Sequence, residues 1–326
     1  MSKLHLQRDS NPFPNSDTNK RYFTYDYYNR ITYGGKCAKI VLDAGFTCPN
    51  IDGKCGTGGC IYCSSRGSYG LRDVPEESIR AQFDKAVQIM TKKWATNKFI
   101  AYFQAHTNTY APVNVLREKF EPVLRYPGVV GLSIATRADC LEPDIVEYLD
   151  DLAGRIQLTV ELGLQTSCDR IAAFINRGHT YEQFLDGYHR LRSTKNKINI
   201  CVHIIFGLPG ETDEIMINTV RDVASLNPDI VKIHLLHVIE GTVMDMLYKE
   251  GKYIPLERDH YVRLVCDALE ILPPNTVIER VTGDGLSDEL VAPLWSLKKL
   301  CVINDIDKTM FERGSYQGKK FMAQPQ

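Results

Sequence analysis

Six short apolar runs, at residues 38–44, 99–103, 129–135, 156–162, 198–206 and 230–236, are separated by longer stretches whose apolar positions recur every three or four residues. The short runs predict buried strands and the longer stretches amphipathic helices. The clearest helix carries Ile79, Phe83, Ala86, Val87, Met90 and Trp94 on one face. It follows Asp73-Val74-Pro75-Glu76, which reads as a capping box with an early proline. Further helices are expected at 113–124, 143–152, 169–175, 181–193, 211–226 and 259–272, and the one at 211–226 opens with three acidic residues in its first turn. Strands alternating with helices imply right-handed crossovers and a parallel sheet. The expected fold class is α/β, an open, partial (β/α)6 TIM-type barrel with a small α+β C-terminal extension. Residues 37–272 would form the barrel, 1–36 would pack on it, and 273–326 would be the extension.

Each predicted strand ends in polar groups that an apolar core does not need. These are Gln104 and His106, Thr136 and Arg137, Glu161 and Gln165, His203 with Gly207, and His234 with His237. In parallel barrels the carboxyl ends of the strands converge on one mouth, where substrates bind. His234 and His237 fall on opposite sides of a regular strand, which leaves His234 as the inward one. Glu161 also invites a buried pairing with Arg137.

Composition narrows the setting. No run of about 18 apolar residues is present and the opening residues 1–19 are polar, so neither a membrane span nor a signal peptide is expected. Ten cysteines in such a chain read as reduced thiols, metal ligands or packed side chains in a cytoplasmic protein. The formal charge is −1, but residues 1–40 carry +4 (seven Lys/Arg, three Asp) and 298–326 carry +3 (six against three), leaving −8 between them. Basic ends on an acidic middle suit an RNA backbone, or simply keep termini solvated. Residues 21–30, rich in tyrosine between two arginines, read either as an RNA-stacking segment or as an amphipathic helix docking on the barrel.

The chemistry concentrates in one loop after the first strand. Cys60 and Cys63 stand in a C-x-x-C pair, and glycines 53, 56, 58 and 59 let the chain wrap back so that Cys48 joins them. Three thiolates on a four-iron cube leave one iron open to a small molecule. The rival is a closed zinc cage on Cys48, Cys55, Cys60 and Cys63. The strand–helix alternation weighs against it, because zinc ribbons pair short antiparallel strands.

F-T-C-P-N-I-D-G with G-G-C-I-Y-C, A-Y-F-Q-A-H-T-N-T, A-T-R-A-D-C, V-E-L-G-L-Q-T, N-R-G-H-T, F-G-L-P-G-E-T, K-I-H-L-L-H-V-I-E-G-T and A-P-L-W together resemble radical S-adenosylmethionine (SAM) enzymes. More narrowly, they resemble the branch similar to the catalytic subunit of Elongator without its acetyltransferase domain. The likeness covers residues 20 to 320. One departure is the eleven residues between Cys48 and Cys60, where the commonest pattern is C-x-x-x-C-x-x-C. Cys55, inside that loop, has no counterpart in the pattern and reads as a bystander; Cys140, near the mouth, reads as a packed thiol.

The resemblance implies a [4Fe–4S] cluster on Cys48, Cys60 and Cys63, with SAM on the fourth iron. It implies an electron from a one-electron donor such as flavodoxin or ferredoxin, and release of a 5′-deoxyadenosyl radical. Carried over residue by residue, Tyr62 would lean on the adenine, Gln104 would meet the SAM amino group, and Glu161 would suit a ribose or amino contact. Arg137 would pair with the SAM carboxylate, and Gly207 would let the adenine edge approach the backbone. With the basic ends, the likeness to Elongator's subunit favours tRNA, at a wobble uridine, as substrate; the alternatives are a radical SAM enzyme acting on a small metabolite and a non-catalytic metal-binding protein that binds RNA. Arg177-Gly178-His179 reads equally as a functional triplet or as a helix ending capped by glycine.

Overall fold

The computed structural model describes residues 11–64, 78–283 and 288–322. Its strands are β1 (Ala38–Leu42), β2 (Phe99–Phe103), β3 (Val129–Thr136), β4 (Gln157–Gln165), β5 (Asn199–Phe206), β6 (Ile230–Leu235), β7 (Val238–Ile239), β8 (Val277–Arg280) and β9 (Leu290–Ala292). Seven of them form one sheet in the order β1-β2-β3-β4-β5-β6-β8, and β7 pairs antiparallel with β9. The expected α/β architecture is present, with one strand more than the six foreseen. β8 lies in the stretch assigned to the C-terminal extension, yet it pairs parallel with β6, Ile230 opposite Val277 and Lys232 opposite Arg280.

Contacts divide the chain into two compact units. One contains Asn29–Leu164 and Asn176–Cys201; the other contains the segment up to Tyr28, then Gln165–Ile175, and everything from Val202 on.

In the first unit β1, β2, β3 and β4 pair parallel in succession, Val41 opposite Tyr102, Tyr102 opposite Ser133, Ser133 opposite Thr159. Alternation then sorts the side chains into two faces. Ile40, Leu42, Leu132, Ile134, Leu158, Val160 and Leu162 are buried on one face. Lys39, Ser133 and Glu161 share the other. The helix Ile79–Lys93 packs on β1 and starts from Ser78, whose side chain accepts from the Ala81 N–H at 3.2 Å. The capping box at residues 73–76 lies outside the described residues. The helix Tyr181–Arg192 opens with a capping box of its own, Thr180 with Gln183. It packs on the turn Ala138–Cys140 so closely that a Cβ on Gly187 would lie 2.2 Å from the Ala138 carbonyl oxygen.

In the second unit the N-terminal segment lies beside β8, where the Ile278 N–H donates to the Phe23 carbonyl at 2.7 Å. Buried Gln317 ties this edge together. It accepts from the Phe23 N–H at 2.8 Å and donates to the carbonyls of Pro273 and Thr276 at 2.6 and 2.7 Å. Tyr22 and Phe23 are buried, and Tyr25, Tyr27 and Tyr28 are half-buried, so the tyrosine-rich segment is docked on the protein.

Candidate active site

The cysteine loop leaves the end of β1 and is held by its own main chain at three points. The N–H groups of Ile51 and Asp52 donate to the Cys48 carbonyl, that of Cys55 to Pro49, and that of Gly59 to Asn50. Cys48, Cys60 and Cys63 are half-buried, and Cys55 is exposed. Burial, then the neighbouring Cys60 and Cys48, push the Cys63 thiol up to about 12. Burial and Cys60 also drive Tyr62 far above the ordinary phenol range.

A second segment, residues 176–179, is clamped onto this loop by side chains. Asn176, at a φ of 53°, donates from Nδ2 to the carbonyls of Thr57 and Gly59 at 3.1 and 2.7 Å. Asn50 is fully buried and reciprocates, its Nδ2 donating to the Asn176 carbonyl and, at 3.7 Å, to Cys60 Sγ. Two glycines make room for it: a Cβ on Gly56 would lie 2.1 Å from Asn50 Oδ1, and one on Gly178 2.6 Å away.

Arg137, at the end of β3, completes the clamp. Its Nε and Nη2 hold Asp139 at 2.9 and 2.8 Å, Nη1 donates to the Arg177 carbonyl at 2.7 Å, and Nη2 reaches the Gly178 carbonyl at 3.1 Å and Cys55 Sγ at 3.5 Å. Its side chain is 3% exposed and braces the loop through these bonds. Among the described residues, Arg177 is a second cation beside the thiols. It is buried, donates from Nη2 to the Gly163 carbonyl, has no partner for Nε among the described residues, and its charge opposes the upward shift of Cys63. His179 is pushed down to about 3 by burial and by Arg177, so it is neutral.

Glu161 does not meet Arg137. Its carboxylate, with a side chain 0% exposed, takes Lys39 Nζ at 2.6 Å and Ser133 Oγ at 3.0 Å, and Lys39 lies 4.3 Å above the Tyr102 ring. A buried carboxylate needs such a partner. Gln104 is half-buried one residue past β2, with its N–H on the Leu42 carbonyl at 3.3 Å, level with the end of β1. Asn108, unremarked in the sequence, is fully buried and caps three carbonyls, those of Phe103, Ala105 and Ala135. Cys140 is buried and pushed up to about 12, first by burial and then by Asp139, as a packed thiol should be.

The other unit carries a glycine-rich turn after β5. Gly207 has a φ of 85°, its carbonyl accepts from the Tyr253 hydroxyl at 2.7 Å, and a Cβ there would lie 3.1 Å from Leu256. The space left by the missing side chain is therefore taken by the protein's own Leu256. Glu211 accepts the Leu208 N–H at 2.9 Å and is pushed up to about 8 by burial. These residues border a cavity of about 340 Å³ with Met216, Tyr253 and His260. His203 and His234 have ring centroids 5.3 Å apart, and burial, then Arg280, hold His234 well below the usual imidazole range.

The geometry of the thiols bears on what they hold. Four sulfurs on one tetrahedral zinc at 2.3 Å stand about 3.8 Å apart. Among the described residues, no three of Cys48, Cys55, Cys60 and Cys63 gather their sulfurs within 4.8 Å of one another. Arg177, whose Nε has no partner among the described residues, is suited to the negative charge that thiolates bring to a metal–sulfur core.

Comparison with known proteins agrees. The Radical SAM superfamily matches residues 52–223, and the Radical SAM C-terminal domain matches residues 228–312. The uncharacterized protein YtqA of Bacillus subtilis is 49% identical over 312 residues, 96% of each chain. A tRNA uridine(34) acetyltransferase of Methanocaldococcus jannaschii is 33% identical over 159 residues, 48% of this chain and 28% of that protein. The structure of Elp3 from Methanocaldococcus infernus, at 18% identity, shares the fold with a TM-score of 0.63, covering 86% of this chain and 64% of its own length. Among the described residues no helix is long and apolar enough to cross a membrane. The chain belongs to the radical SAM superfamily, whose enzymes work with a [4Fe–4S] cluster and SAM.

Proposed function

We propose that Cys48, Cys60 and Cys63 hold the cluster and that the enzyme modifies tRNA at a wobble uridine in the cytoplasm. The observation that carries the substrate is the likeness of 48% of the chain to a tRNA uridine(34) acetyltransferase. When bound, the cluster and SAM supply cleavage of the sulfonium C–S bond to methionine and a 5′-deoxyadenosyl radical, after one electron arrives from a carrier such as flavodoxin or ferredoxin.

The chain's own residues position this chemistry. Asn50, Asn176 and Arg137 fix the ligand loop, and the Arg177 cation offsets thiolate charge. Gln104, at the level of the end of β1, is the candidate for the SAM amino group. Tyr62 is the candidate for the adenine, and Glu161 for the ribose or amino group. In that role Glu161 would share its carboxylate with Lys39 and Ser133.

A small-molecule substrate is the second reading, and it draws on how the basic ends are used. Lys20 pairs with Asp307, Lys39 with Glu161, Arg313 with Asp267 and Lys320 with Glu270, so these charges are answered within the chain. Two measurements separate the readings. Mass spectrometry of total tRNA nucleosides from a deletion strain should show one modified uridine missing, and anaerobic 5′-deoxyadenosine formation should rise when tRNA is added. An unchanged nucleoside profile removes the tRNA reading and leaves the radical chemistry standing.

A further inference from the structure

We infer that the Asn50 side chain tunes the reduction potential of the cluster by donating an N–H to the ligand sulfur of Cys60. The inference rests on Cys60 being a ligand and holds for either substrate.

Asn50 is placed for this task by contacts from both sides. Its Nδ2 lies 3.7 Å from Cys60 Sγ, within hydrogen-bond reach of sulfur, and also donates to the Asn176 carbonyl. One amide nitrogen has two hydrogens, so both bonds form at once. The side chain is 0% exposed, and Gly56 and Gly178 each leave out a Cβ that would strike its Oδ1. Oδ1 itself is buried and, among the described residues, has no hydrogen-bond partner. A buried amide that leaves its oxygen unanswered is costly as mere filler. Its donor side is the half the fold uses.

The consequence is electrostatic. Reduction adds an electron to a cluster whose charge extends onto the thiolate sulfurs. An N–H dipole aimed at one sulfur stabilises the more negative, reduced state, and so raises the potential. Water would supply the same donor irregularly; a buried amide supplies it in one orientation. Asn176 is the positioning residue, since its own Nδ2 ties Thr57 and Gly59, on the approach to Cys60, to the segment that receives Asn50.

The test is an EPR-monitored redox titration of the full-length reconstituted protein at matched iron content. Asn50→Ala should give a midpoint more negative than the wild type. Asn176→Gly keeps the left-handed backbone and the Asn50 donor but removes the brace, so its midpoint should move in the same direction and by less. An unchanged midpoint in Asn50→Ala overturns the inference, as does an equal shift in both variants, because loosening of the loop alone would then be the cause. Wild-type protein carrying ¹⁵N only in asparagine side chains gives a decision that does not depend on either variant folding. Pulsed EPR of its reduced cluster should show a ¹⁵N hyperfine coupling, and absence of that coupling overturns the inference.

Discussion

Two glycine-rich turns follow strand ends in this chain, and they are held by opposite chemistry. The cysteine loop after β1 is surrounded by donors: the amides of Asn50 and Asn176 and the guanidinium groups of Arg137 and Arg177. The turn after β5 is built on an acceptor, the Glu211 carboxyl under the Leu208 N–H, and burial lifts that group to about 8. Thiols that must give up protons need positive charge and N–H groups close by. The turn after β5 carries no thiols; Arg170 donates to its Gly210 carbonyl at 3.2 Å, and the carboxyl that closes it stays neutral below about 8. Glycine is needed in both, for the Asn50 side chain in one case and for Leu256 in the other.

Substitutions can break or sharpen this contrast. The largest effect is expected for Cys60→Ala, which should abolish iron retention and 5′-deoxyadenosine formation together; iron analysis after anaerobic reconstitution checks it, and retention of either would reassign the ligands. Next comes Lys39→Met, which removes the 2.6 Å ion pair from buried Glu161. Urea unfolding should show a loss of about 3 kcal/mol, recovered largely by adding Glu161→Leu.

Gly178→Ala combines a φ of 76° with a contact at 2.6 Å to Asn50, whereas Gly241→Ala has a φ of 77° and nothing within 4 Å. Backbone strain alone costs about 1 kcal/mol. Gly178→Ala should therefore cost more than Gly241→Ala, and only the former should lower iron content.

The smallest effect is the pH dependence of Glu211. Its pKa is raised, so the folded state keeps a proton that the unfolded chain releases above the ordinary glutamate value of 4.5. The stability it contributes is complete at low pH and is lost as pH rises towards 8. Between pH 6 and 7 the wild type should lose about 1 kcal/mol more than Glu211→Gln, read from urea midpoints at the two pH values. Parallel profiles would show that this carboxyl ionises normally.

The apolar runs made six strands legible because parallel strands buried on both faces read as short continuous apolar stretches. β8 escaped notice because Val277-Ile278-Glu279-Arg280 offers only two apolar residues, and its pairing with β6 is what makes it a strand. The thiol loop stood out by spacing. Its clamp did not, since Asn50 and Asn176 are 126 positions apart and each reads as an ordinary turn residue. Glu161 was marked as a buried carboxylate, but its partner is Lys39, 122 positions away, and Arg137 turned to Asp139 two residues on.

The sequence alone determined which residues alternate into the core, where the thiols cluster and which family the chain resembles, because these depend on neighbours along the chain. Tertiary structure decided who pairs with whom. A buried charge or amide takes the partner that strand register and loop closure bring within about 3 Å, and those distances exist only after folding.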